Sequence, residues 1–288
     1  MEYVHVETAQ QESQSIITGA KETRQNPKIR KSLEHFPQLA ARPLSVYLTP
    51  ANTGGVNLCP HSSPGCVDAC ISDSKRQGFG RIFGTVFQSR WERTQRFRKD
   101  RKRFMEDMTQ ELLRQQRLAQ RFGEIVTIRD NMGSDVDWHR LAEIHEVDYY
   151  GDFGVYPELA RVQHYNYTKD LRRLLRRRPV NDYLTFSRSE ANHRACLTAL
   201  ENGHNVAVVF SQGPEFYGSQ RQYLTELPET WKPEGTAQTY RVIDGDLHDF
   251  RHLDPDGPCI VGLRMKGDRL QVQAAIQSGF AVLTEGGR

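Results

Sequence analysis

The chain has 288 residues, with 39 Lys and Arg against 36 Asp and Glu, a formal net charge of +3. Hydrophobic residues make up 37 %, and aromatic and β-branched types recur throughout, which excludes a wholly disordered chain. No run nears the roughly 18 apolar residues of a membrane helix, no signal peptide opens the sequence, and the near-neutral charge is short of a dedicated nucleic-acid domain.

These limits lead us to expect a soluble, cytoplasmic protein with no membrane partner. Residues 1–43 are mostly polar and without period. They read as an N-terminal extension or arm over the main fold, with Ile16, Ile17, Leu33 and Phe36 available to pin it. Residues 44–288 read as a single domain.

Seven short apolar runs follow, at 44–48, 125–128, 162–167, 183–187, 206–210, 240–243 and 260–263. Each has strand length and strand composition. Helical patterns lie between them at 83–121, 170–178, 190–202 and 270–277. Strands alternating with helices predict an α/β fold with a parallel sheet. The expected architecture is a partial TIM-like (βα) barrel of about six to seven parallel strands.

Each run is followed by polar, titratable residues. The first leads into a cysteine loop at 57–71, the second into Arg129-Asp130-Asn131-Met132-Gly133-Ser134-Asp135, the third into Thr168-Lys169 and the fourth into Arg188-Ser189-Glu190. Later runs lead into Ser211-Gln212, Asp244-Gly245-Asp246 and Arg264-Met265-Lys266-Gly267. Polar residues at successive strand C-termini are how barrels and open α/β sheets build a shared site.

Cys59, Cys66 and Cys70 fall in the first of these loops, spaced C-x6-C-x3-C, while Cys196 and Cys259 stand alone. A clustered, odd number of cysteines points away from a secreted disulfide scaffold and towards metal. A [4Fe-4S] cluster held by three thiolates leaves one iron open to a ligand. A structural zinc wants a fourth ligand, for which His61, Cys196 and Cys259 are the candidates. Three unrelated buried thiols are the plain alternative.

Asp135 and Lys169 are the candidate catalytic residues. Asn131, Gly133, Ser134, Asp135 and Arg188 are the candidate cofactor contacts. The 130–137 segment also reads as a helix start, with Ser134 or Asp135 opening a helix that contains Trp138, Leu141 and Ile144. Asp244-Gly245-Asp246 reads first as a tight turn. The stretch 90–103 places Arg90, Arg93, Arg98 and Arg101 on an amphipathic helix, and a second basic patch holds Arg172, Arg173, Arg176, Arg177 and Arg178. Such patches grip phosphate backbones or simply face solvent.

Several of these segments carry a resemblance when taken in order. They are the three-cysteine loop opening Cys59-Pro60, Arg90-Trp91, the run from Asn131 to Trp138, and Tyr165-Asn166-Tyr167-Thr168-Lys169. Across most of the chain after residue 40 they resemble the gene product 88-like family of actinobacteriophages, which implies a phage protein acting in the host cytoplasm. A more distant resemblance is to radical S-adenosylmethionine enzymes, where a three-cysteine loop follows the first strand of a partial TIM barrel. Their spacing is x3 then x2, against x6 then x3 here. That resemblance implies a [4Fe-4S] cluster on Cys59, Cys66 and Cys70, with S-adenosylmethionine near residues 131–135 and an unknown substrate. The competing expectation is a zinc-containing nucleic-acid-binding phage protein that uses the basic helix.

Overall fold

A computed structural model of the chain describes residues 15–72, 85–213 and 226–284. The elements are, in order, β1 (Ile17–Thr18), α1 (Ala20–Thr23), α2 (Pro27–His35), β2 (Ala41–Val46), α3 (Pro64–Asp68), α4 (Thr85–Lys99), α5 (Arg101–Phe122) and β3 (Ile125–Arg129). Then come α6 (Trp138–His145), β4 (Gln163–Thr168), α7 (Leu171–Leu175), β5 (Asp182–Ser187), α8 (His193–Glu201) and β6 (Val206–Ser211). The chain closes with β7 (Thr230–Trp231), β8 (Tyr240–Asp244), β9 (Ile260–Arg264), α9 (Arg269–Gln277) and β10 (Val282–Leu283). All seven expected strands are present, as β2 to β6, β8 and β9. The start of the long expected helix, at residues 83 and 84, lies outside the described residues.

The sheet runs in the order β1-β2-β3-β4-β5-β6-β9-β8-β7. Pairings from β2 through β8 are parallel, and β1 and β7 add antiparallel edges. The expected α/β class and parallel strands therefore hold. The path is open among the described residues, and its closure into a barrel is not shown. The strand order also breaks from simple winding, because β9 inserts between β6 and the earlier β8. Phe210 of β6 pairs with Arg264 of β9 on one side and Val282 of β10 on the other. The β10 segment thus fills the gap where β5 has parted from β6 beyond Ala207.

Local sequence explains the helices. Asp100 is extended and its carboxylate accepts the Arg103 N–H at 2.9 Å, which ends α4 and starts α5. Along α5, Phe104, Met105, Met108, Leu112 and Leu113 are buried at helical spacing, and Gly123 closes it in the left-handed conformation at φ 65°. These residues pack on Leu44, Val46, Val126 and Ile128 to form the larger core. A second core joins β5, β6 and β9 to α8.

Consecutive strand residues point to opposite faces. His164 in β4 meets Tyr149 and Tyr150 on the α6 side, while Tyr165 meets Phe250 on the other. That second face is covered by α2, through Ile29, and by residues 249–253. Residues 15–40 therefore supply an edge strand and a covering helix as well as an arm.

Candidate functional site

The cysteine loop leaves β2 and lies across the C-terminal ends of the neighbouring strands. The Asp135 N–H donates to Leu58 O at 2.7 Å, beyond β3. Glu190, beyond β5, accepts from the Gly65 N–H and the Ser63 hydroxyl, each at 2.7 Å. Gln271 of α9 donates to Cys70 O at 3.3 Å. Three separate parts of the mouth thus hold one loop. Within it, Ser63 caps the single turn of α3.

Gly133 and Gly65 permit this close approach. A Cβ on Gly133 would lie 3.0 Å from Leu48 O, and one on Gly65 would lie 2.8 Å from the Glu190 carboxylate and 2.5 Å from Ser278 Oγ.

Cys59 Sγ accepts the Ala51 N–H at 3.4 Å and lies 3.9 Å from Gly133 O. Burial pushes its thiol up to about 11; the Ala51 amide opposes this, and Asp135, Cys70 and Cys66 add to it. The three sulfurs therefore share one electrostatic neighbourhood. Among the described residues, however, no three His, Cys, Asp or Glu side chains are gathered into a ready metal-binding group. The proposed fourth zinc ligands are elsewhere. His61 Nε2 faces Asp170 at 3.5 Å, Cys196 is buried beside Asn192, and Cys259 is buried beside Asn205.

The segment after β3 is held from within. Asn131 Oδ1 accepts from the Ser134 hydroxyl, the Val136 N–H and the Trp138 indole, at 2.8 to 3.1 Å. Asn131 and Ser134 thus shape the turn, and Asp137, not Ser134 or Asp135, caps α6. Asp135 accepts the Lys169 N–H at 2.9 Å and the Arg173 guanidinium at 3.0 Å.

Lys169 Nζ donates to Ser187 Oγ at 2.9 Å and lies 5.9 Å from the Phe280 ring centroid. Arg188 donates to the carbonyls of Gly279 and Phe280 at 2.9 and 2.8 Å, fixing the segment that leads into β10. Asp244 and Asp246 do form a turn, in which they pair with Arg264 and Lys266. Lys169, Asp135, Gly133, Arg188 and the cysteine loop are therefore brought to one end of the sheet.

The basic stretch divides. Arg90 turns inward: its guanidinium lies 4.9 Å from the Tyr47 ring centroid, donates to Ser72 O at 3.4 Å, and is near enough to Cys70 to feel its charge. Arg93 donates to Ser15 O at 2.9 Å. Arg98 and Arg101 are exposed. Within the second basic patch Arg173 is buried and Arg176 and Arg178 are half-buried, whereas Arg172 and Arg177 are exposed. Arg173 is buried against Asp135, Arg176 pairs with Asp137 at 2.6 Å, and Arg178 is set against Asp182 and Leu174 O. Asp135 and Asp137 come from a distant segment, which the run of arginines alone does not reveal, whereas Asp182 is four residues beyond Arg178.

Other important residues have partners that the sequence does not reveal. Glu190 anchors the cysteine loop, and Asp249 accepts both close contacts from Arg129, at 3.0 and 2.7 Å. Asp130 is fully buried and binds Tyr149, His164 and Asn166. Burial pushes its carboxyl up, but His164, Tyr149 and Asn166 outweigh that and hold it below the usual range.

No helix among the described residues is long and apolar enough to cross a membrane. The profile of the family described as Gene product 88 matches residues 16–283. No curated protein and no solved structure matches the chain.

Proposed function

The chain belongs to the Gene product 88 family, and we propose that it is a phage iron–sulfur protein in which Cys59, Cys66 and Cys70 hold a [4Fe-4S] cluster over the C-terminal mouth of the sheet. The observation that carries this reading is the triple anchoring of the cysteine loop, by residues following β3, by Glu190 and by α9. The same anchoring ties the three-cysteine loop to the end of the sheet at which Lys169 donates to Ser187.

The donor set fits a three-thiolate centre better than a four-ligand zinc. An amide already points at the Cys59 sulfur, as outer-sphere donors do at metal thiolates. Arg90 places a cation beside Cys70, opposing the charge of a thiolate centre. His61, Cys196 and Cys259 are all committed elsewhere. Ligation of a cluster by Cys59, Cys66 and Cys70 would displace the protons of the three thiols.

When bound and reduced, the cluster supplies one electron at a position open to a small molecule. S-adenosylmethionine is the molecule we propose there, which makes the protein a radical S-adenosylmethionine-like enzyme with an unassigned substrate. The residues of this chain position and enclose. Asn131 and Ser134 fix the turn that brings Gly133 against Cys59. Asp135 orders the start of α7 through Lys169 and Arg173. Lys169 presents an ammonium with a neutral hydroxyl partner, suited to an anionic group, and Arg188 holds Phe280 beside it. The place of action is the host cytoplasm, where thiols stay reduced.

The test is anaerobic reconstitution with iron and sulfide, followed by iron and sulfide analysis, visible absorbance and EPR, with and without S-adenosylmethionine. A cluster that each of Cys59→Ala, Cys66→Ala and Cys70→Ala abolishes supports the reading. A colourless protein with one tightly held zinc refutes it.

A further inference from the structure

A groove of about 190 Å³ opens between residues 57–61 of the cysteine loop, the α4–α5 junction and the starts of α6 and α7. Its apolar lining is Leu58, Pro60, Phe97, Val136 and Leu141. Leu58 and Pro60 flank Cys59, so the groove lies beside one of the three thiols. It is smaller than the roughly 300–1,000 Å³ of small-molecule sites, and suits a side chain or two of a partner better than a free ligand.

The carboxylates of the groove are already engaged. Asp135 accepts from the Lys169 N–H and from Arg173, Asp137 takes Arg176 through both oxygens, and Asp170 caps α7 and faces His61. Its two exposed cations are not balanced in the same way. The Arg101 guanidinium lies 5.3 Å from the Phe97 ring centroid and meets no carboxylate among the described residues. Arg140 pairs with Glu143 of its own helix at 3.4 Å, where solvent screens the pair. Five of the six residues from 98 to 103 are Arg or Lys, and all five are exposed. Arg101, Lys102 and Arg103 open α5, and Arg140 lies in the first turn of α6. Cations at helix N-termini oppose the macrodipole. Apart from the capping Asp100 and Asp137, no acid offsets them there. Helix stability therefore does not account for this basic surface, whereas an anionic partner does.

An apolar notch beside exposed cations fits an acidic protein that sets an apolar side chain into the notch and its carboxylates on Arg101 and Arg140. A phosphate backbone fits less well, because three carboxylates share the lining. Small, electrostatically steered interfaces of this kind serve electron-transfer encounters. We propose that the groove and the α4–α5 junction dock an acidic one-electron carrier protein, which reduces the cluster on Cys59, Cys66 and Cys70. The proposal rests on the iron–sulfur reading above and names its partner. One electron leaves the reduced carrier and enters the oxidised cluster, with no bond made or broken and no proton transferred.

Two acidic carriers, a flavodoxin and a plant-type ferredoxin, serve as probes for the anaerobically reconstituted full chain. Isothermal titration with the oxidised carriers reads docking, and stopped-flow absorbance with the reduced carriers reads electron transfer. At least one carrier is expected to bind with Kd below about 100 µM. Its affinity should fall tenfold or more between about 50 and 500 mM salt. Arg101→Glu combined with Arg140→Glu sets carboxylates in the first turns of two helices, where they favour the fold. This double variant is expected to bind at least tenfold more weakly and to be reduced at least tenfold more slowly by the carrier, with iron content and reduction by dithionite unchanged. A protein that takes up no cluster refutes the iron–sulfur reading and this proposal together. Three results overturn the docking alone: neither carrier binding, binding and reduction unmoved in the double variant, or single-stranded DNA binding more tightly than either carrier and losing that affinity in the variant.

Discussion

Glu190 and Gly65 are 125 residues apart in sequence, yet the Glu190 carboxylate accepts the Gly65 N–H at 2.7 Å. The same carboxylate takes the Ser63 hydroxyl, so one side chain beyond β5 holds the turn that carries Cys66. Glu190→Ala leaves both donors unpaired and is expected to cost about 1–3 kcal/mol in urea unfolding. Limited proteolysis then cuts within 57–71 faster than in the parent. Unchanged cutting would show that the loop does not depend on Glu190. Gly65→Ala should act in the same direction, because its Cβ collides with Glu190 and Ser278.

Asp135 is the second brace. Arg173 is fully buried and its Nη1 meets Asp135 at 3.0 Å. Asp135→Ala removes the nearest anion of that cation, leaving Asp137 at 3.8 Å, and removes the acceptor of the Lys169 N–H. The expected loss is about 3–5 kcal/mol, the range for breaking a buried pair from one side. Asp135→Asn keeps an amide acceptor and should lose less. Equal losses in the two variants would show that the charge of Asp135 carries the whole effect.

Much of this framework is legible in the sequence. Seven strands stand out because their apolar runs are short, β-branched and separated by helix-length intervals. The polar residues that follow them do converge, since parallel strands put all their C-terminal ends on one side. Less legible is what depends on pairing at a distance. The segment from Arg172 to Arg178 reads as basic surface because Asp135 and Asp137, which pair with Arg173 and Arg176, come from another part of the chain. Helix α2 lacks a clear run, and only its place against Tyr165 and Phe250 explains its burial. The insertion of β9 between β6 and β8 leaves no local trace in the sequence.

Acid lability follows from the loop at 248–254. Burial, with His248 and Arg251 adding to it, holds the His252 imidazole down to about 4, and burial with Arg251 does the same for His248. A histidine whose folded pKa is depressed contributes stability that is present above its unfolded value near 6.5. That stability is lost as pH falls from there towards 4. Asp254, pushed up to about 6, works in the opposite sense: its contribution is present at low pH and lost as pH rises through 6. Two histidines oppose one carboxyl, so this group as a whole destabilises the fold on acidification. His252→Phe keeps the aromatic contacts with Tyr165, Tyr183 and Phe250 and removes the titration. Between pH 7 and 4.5 the variant should lose less stability than the parent, by on the order of 2 kcal/mol. Parallel pH profiles from chemical denaturation would contradict this.

The inward turn of Arg90 separates the iron–sulfur reading from the nucleic-acid one. Arg98 and Arg101 are exposed, with Arg101 over the Phe97 ring, whereas Arg90 is engaged with Tyr47 and Ser72 O. We expect no salt-dependent DNA or RNA binding by fluorescence anisotropy between about 50 and 200 mM salt. The double charge reversal Arg98→Glu, Arg101→Glu should leave iron content unchanged, while Arg90→Met lowers it. Strong binding that this double reversal abolishes would favour the nucleic-acid role.

The most direct test is metal and sulfide analysis with EPR on protein purified and reconstituted without oxygen. The account predicts a brown protein with about four iron and four sulfide per chain, a reduced-cluster signal, and loss of both in each of Cys59→Ala, Cys66→Ala and Cys70→Ala. A colourless protein that takes up no cluster, or a cluster that survives these three substitutions, would contradict it.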